Sequence, residues 1–140
     1  YDNEARQYLL MLYERNGDKK GIARQNEEML HLYGDNITLL VRLGKYYLNL
    51  KKYNLAEVYF KRAIKVDSTV AADYYFLGEI HRLQQQPQQA ESFYKKALQY
   101  SPNDPQALNQ LTFLYRTQHR WQAIIDLYRP RLMADSTSGP

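Results

Sequence analysis

The chain has 140 residues, 24% of them charged, with a net charge of +4 and no cysteine. That length holds one compact domain or about four stacked helical hairpins, and the lack of thiols excludes a disulfide framework and any cysteine-based zinc site. The 19 basic residues are spread along the chain rather than gathered into the patch that nucleic-acid binding requires, and no apolar run approaches membrane-spanning length.

The chain opens at Tyr1, without a methionine, on the helix-start signal Asp2-Asn3-Glu4, and is expected to be a fragment or a processed product. Leu9 and Tyr13, then Ile22, Leu30 and Leu32, mark a first pair of helices that stops at Tyr33-Gly34-Asp35-Asn36. In the next stretch Leu40, Leu43, Tyr47 and Leu50 recur at helical spacing. A Lys51-Lys52 turn follows, and then Tyr53, Ala56, Phe60, Ala63, Ile64 and Val66 form a second apolar face. Asp67-Ser68-Thr69 is the next turn. Tyr74, Leu77, Ile80 and His81 then predict a fifth helix, and Ala90, Phe93, Tyr94, Ala97 and Leu98 a sixth. The glutamine-rich run Gln84 to Gln89 spans the turn between them, with Pro87 suited to a first helical turn. Ser101-Pro102-Asn103-Asp104-Pro105 stops one helix and starts another, Asp104 as cap and Pro105 at the first helical position. Leu108, Leu111, Tyr115 and Tyr128 carry the last pair. Pro130 is expected to bend or end its second helix near Arg129, and residues 135–140 to form a linker-like tail.

These elements repeat. Leu40-Leu43-Gly44-Tyr47-Ala56-Phe60-Ala63-Ser68 returns 34 positions later as Tyr74-Leu77-Gly78-His81-Ala90-Tyr94-Ala97-Pro102. Extending that register gives four units, 3–36, 37–70, 71–104 and 105–138, the last truncated near Pro130, within a repeat domain of residues 1–134. At Leu43-Gly44, Tyr47, Ala56, Phe60 and Ala63 the chain resembles the tetratricopeptide repeat family. The outer units depart from the pattern: Leu10 replaces the glycine in the first, and Thr112, Ile124 and Arg131 replace small residues in the fourth. The resemblance implies an all-α, right-handed superhelical solenoid of about four hairpins, two strong and the outer two degenerate, as repeat arrays are near their ends.

Catalytic chemistry is not expected. His81 aligns with Tyr47 and Tyr115 and should pack as a core aromatic. None of His31, His81 and His119 has a second ligand at metal spacing. No phosphate-binding glycine loop or activated nucleophile is recognisable, so neither an enzyme nor a cofactor is predicted. Tyr47, Tyr53, Tyr59, Tyr94, Tyr115 and Tyr128 lie on or beside packing positions, which argues for core packing rather than base stacking.

In the family that the chain resembles, first helices line a concave groove that binds peptides or partner helices. Residues off the packing face are the candidates: Arg42, Lys45, Asn49, Tyr75, Glu79, Arg82, Asn109, Phe113 and Arg116, with Gln7, Met11, Phe76 and Gln110 beside them. Arg82 and Arg116, one period apart, are expected to stack as a basic ladder near Arg42 and Lys45, and their joint reversal to Glu to spare stability. Tyr75, Phe76 and Phe113 supply aromatic anchors. The partner expected is another protein, an acidic and apolar peptide or helix, with no nucleic acid and no membrane insertion. Some family members clamp a chaperone's C-terminal carboxylate with Lys and Asn, then Asn, then Lys and Arg. The corresponding residues are Gln7, Met11, Arg42, Ala72 and Phe76, or one unit along Val41, Lys45, Phe76, Gln106 and Gln110, and neither set matches. The function expected is therefore a non-catalytic protein-binding scaffold. Two alternatives are an accessory positioning domain of a larger enzyme or envelope assembly, and a self-associating module with exposed apolar ends.

Overall fold

The computed structural model describes residues 2–137 and 139, with only the backbone of Asp2. Among them are eight α-helices and no strand: α1 Asp2–Arg15, α2 Lys19–Tyr33, α3 Ile37–Asn49, α4 Tyr53–Val66, α5 Ala71–Leu83, α6 Pro87–Tyr100, α7 Pro105–Thr117 and α8 Trp121–Thr137. The protein is an all-α helical repeat. The chain divides into two compact units, Tyr1–Thr69 with α1–α4 and Val70–Pro140 with α5–α8.

The helices start where side chains can take their orphan amides. Asp18 accepts from the Gly21 amide at 2.8 Å, Asn36 from Leu39 at 3.2 Å and Asp104 from Ala107 at 2.7 Å. Pro87 and Pro105 open α6 and α7, where a missing N–H costs nothing. The turn inside each hairpin uses one left-handed residue at a fixed register: Gly17 (φ +66°), Lys51 (+59°), Gln85 (+59°) and His119 (+56°). The amide that follows each one bonds back across the turn: Asp18 to Tyr13, Lys52 to Tyr47, Gln86 to His81 and Arg120 to Tyr115, at 2.8–2.9 Å. The 34-residue period is thus a backbone period as well as a side-chain one.

In the first unit the core is built from Leu40, Leu43, Ala56, Tyr59, Phe60 and Ala63, with Ala23 and Leu30 from α2. In the second it is Tyr74, Leu77, Ile80, Ala90, Tyr94, Ala97 and Leu98, with Ala107, Leu111 and Tyr115 from α7. Full burial of a side chain of Phe60's size stabilises by about 1.5–3 kcal/mol. His81 packs as its alignment with Tyr47 suggests: it stacks on Phe93 at 5.2 Å, as Tyr47 stacks on Tyr59 at 5.6 Å. Its Nδ1 lies 2.6 Å from Gln86 Oε1.

The C-terminal helix corrects one expectation. Pro130 does not end it, because α8 runs on to Thr137. Proline removes the donor for the Asp126 carbonyl, and Asp126, Arg129 and Pro130 are all exposed, so water can donate to that carbonyl in place of the missing N–H. Arg131 adds side-chain hydrogen bonds to the Leu127 carbonyl and, at 2.8 Å, to Pro102. Residues 135–137 are helical rather than linker, and Ser138 and Pro140 of the expected tail lie outside the described residues.

Candidate functional site

The first helices α3, α5 and α7 each split into two sides. The repeat residues are sealed: Leu40, Leu43, Leu77 and Leu111 are at most 1% exposed. The candidate residues lie on the other side, in three groups.

In the first unit, Arg42, Lys45 and Asn49 are exposed along α3 and line one cavity of about 280 Å3. Leu43 and Tyr46 of α3 and Ile22 and Ala23 of α2 give it apolar lining, joined by the polar Asn26 and Lys19 of α2. Asn26 was not among the residues singled out from sequence. It is 2% exposed and its Oδ1 accepts no hydrogen bond. The signal for it was present: Asn26 occupies the register of Phe60 and Tyr94. Behind this lining, Tyr47 and Tyr59 both donate to Glu27 Oε1, Tyr59 at 3.1 Å. Burial, with Glu27 beside them, holds the Tyr47 phenol above its ordinary range and pushes Tyr59 up to about 12.

In the second unit, Tyr75, Glu79 and Arg82 share a face of α5 but are not free side chains. Glu79 accepts from Arg82 Nε at 3.1 Å and Nη2 at 2.8 Å, and also from the Tyr94 hydroxyl. The Glu79 hydrogen bonds keep Arg82 firmly charged, and burial raises the Tyr94 phenol above its usual range. Tyr75 lies 5.9 Å from the Tyr94 ring. Arg82 is therefore a half-buried, neutralised cation rather than a rung of an open basic ladder. The third group, on α7, is open. Asn109, Phe113 and Arg116 are exposed, Phe113 by 59%, and the Arg116 guanidinium pairs with no acid among the described residues.

Outside these groups, α8 carries an open apolar concavity of about 610 Å3 lined by Ile124, Ile125, Tyr128, Leu132 and Met133. Among the described residues no cluster of three or more His, Asp or Glu could hold a metal ion, and no helix is long and apolar enough to cross a membrane.

Comparison with known proteins bears on this arrangement. No curated protein matches the sequence. Several solved structures match the fold. A crystal structure of MamA superposes with a TM-score of 0.74 at 23% identity, over 90% of this chain and 69% of that one. MamA from Desulfovibrio magneticus RS-1 gives 0.73 at 17%, over 98% and 77%. The first TPR of Spaghetti (RPAP3), bound to the HSP90 peptide SRMEEVD, gives 0.68 at 20%, over 76% and 85%. Family models described as tetratricopeptide repeat match residues 37–69 and 71–104, the two units whose glycine, alanine and aromatic positions are intact, and these two units are tetratricopeptide repeats.

Proposed function

We propose that the chain is a non-catalytic scaffold that binds a peptide or helix of another protein along the solvent-facing side of its first helices, the side that lines the groove in the repeat family. The observation that supports this most is the division of labour on α3 and α7. Their repeat residues are consumed by the core, while Arg42, Lys45, Asn49, Asn109, Phe113 and Arg116 stay exposed beside it. Two groups combine cations with apolar surface, Arg42 and Lys45 over the α3 cavity and Arg116 one turn from Phe113, which suits an acidic partner with apolar anchors. A structural relative holds a peptide rich in acidic residues, which agrees with that chemistry. A rigid repeat loses little entropy on binding, so modest contacts suffice. The test is capture from native lysate with wild type, Arg42→Glu/Lys45→Glu and Phe113→Ala/Arg116→Glu in parallel. A protein held by wild type and lost by either double variant supports the reading. A protein held equally by all three refutes it.

A second reading is favoured by α8. Leu132 and Met133 are 69% and 64% exposed beside Ile125, an apolar face unusual for a monomer. Self-association through that face predicts a mass that rises with concentration in light scattering and stays monomeric in Leu132→Glu/Met133→Glu.

A further inference from the structure

Position 26 is where the first unit breaks its own repeat. The residues 34 and 68 positions on are Phe60 and Tyr94, 0% and 1% exposed, and the fourth unit has Tyr128 there. Asn26 is as deeply buried as these aromatics, yet its Oδ1 is unpartnered. A buried amide oxygen without a donor is destabilising in a way that an apolar side chain of similar size is not. Leu10 stands at the register of Gly44. Asn26 lines a cavity of about 280 Å3 together with Leu43, Tyr46, Arg42 and Lys45 of α3. That is below the roughly 300–1,000 Å3 of small-molecule sites and suits one inserted side chain.

The inserted group has to satisfy three conditions at once. It needs an apolar body to cover Ile22 and Tyr46, a polar tip for the Asn26 amide, and negative charge nearby for the Arg42 guanidinium. A hydroxyl both donates and accepts, so it can serve the amide after a turn about the soft terminal torsion of asparagine. The chain shows the same solution in its third unit, where the buried Tyr94 ring sends its hydroxyl to Glu79. We propose that the Asn26 cavity takes a tyrosine side chain from a partner polypeptide whose neighbouring Asp or Glu rests on Arg42. This rests on the protein-binding reading above and assigns it a residue-level preference.

The experiment uses a random dodecapeptide display library, selected against the full chain and against Asn26→Phe and Asn26→Leu, each first checked for helicity and cooperative melting. Wild type is expected to enrich tyrosine within two positions of Asp or Glu. The winning peptide should lose at least about fivefold in affinity when its tyrosine becomes phenylalanine, the effect of leaving one buried polar group unpaired. Asn26→Phe, which fills the cavity, should abolish binding. Asn26→Leu, which removes only the amide, should erase the preference for tyrosine over phenylalanine. Enrichment that survives in folded Asn26→Phe, or a wild-type preference unchanged in Asn26→Leu, overturns this proposal and leaves the scaffold reading standing. Enrichment of no peptide by folded wild type overturns both.

Discussion

Phe60 lies against Gly44 so closely that a Cβ placed on that glycine would stand 2.7 Å from the ring, and Gly78 faces Tyr94 in the same way at 2.5 Å. The two pairs are one repeat apart and set how near the two helices of each hairpin can approach. Both aromatics are sealed, so neither ring has room to retreat. On an exposed helix, alanine in place of glycine gains about 1 kcal/mol. Here overpacking of about 1–3 kcal/mol opposes that gain and prevails. Gly44→Ala and Gly78→Ala are each expected to lower stability in urea denaturation. Gly44→Ala/Phe60→Leu should recover part of the loss, whereas equal losses in single and double variants would show that the ring contact is not the cause.

Arg82 and Arg116 should behave differently although they share a repeat position. Arg82 holds Glu79, whose side chain is 14% exposed and also takes the Tyr94 hydroxyl. Replacing Arg82 by Glu leaves two carboxylates on one half-buried face and should cost about 1–3 kcal/mol. Arg116 is exposed and pairs with no acid among the described residues, so Arg116→Glu should stay within about 0.5 kcal/mol of wild type. The expectation that reversing both arginines would spare stability is thereby revised. Thermal melts of the two single variants check it, and indistinguishable midpoints would refute it.

The hairpins were legible because the information is local: apolar spacing, caps and a strict period are all read within one unit. His81 could be placed in the core by its register with Tyr47 alone. Arg82 could not be judged that way, since its worth depends on how deeply Glu79 sits and on Tyr94 reaching it from α6. Pro130 misled for a similar reason. Whether a proline stops a helix depends on whether water can reach the orphaned carbonyl, and here Asp126 and Pro130 are both exposed. Asn26 was visible as a polar residue in an aromatic register, but its importance needed the buried oxygen and the adjoining cavity.

The hairpin turns offer a stabilising change. Gln85 is exposed and adopts φ +59°, which strains an L-residue by roughly 1–2 kcal/mol, whereas glycine pays mainly about 0.5–1 kcal/mol of extra unfolded-state entropy. Gln85→Gly should therefore gain about 0.5 kcal/mol. The converse, Gly17→Ala at the same register, should lose about 1 kcal/mol, although open space surrounds Gly17 and no clash would arise. Urea midpoints that move the opposite way would mean that the turns do not carry backbone strain.

Glu91 ties the second unit to acid pH. Burial by itself would raise its carboxyl, but hydrogen bonds from Arg120 and Lys95 outweigh burial and bring it down to about 2 from an ordinary 4.5. Arg120 Nη1 lies 2.6 Å away, Lys95 Nζ 2.7 Å, and the Tyr115 hydroxyl donates at 3.2 Å. A depressed carboxyl binds protons more readily in the unfolded chain. Its stabilisation is complete above pH 4.5 and is lost as pH falls toward 2. Glu91→Gln keeps the shape and removes the titration. The stability difference between wild type and this variant should therefore be largest near neutral pH and should shrink through that window. Urea denaturation of both proteins at a series of pH values measures it. A difference that stays constant down to about pH 2 would show that Glu91 contributes by packing and neutral hydrogen bonding rather than by its charge.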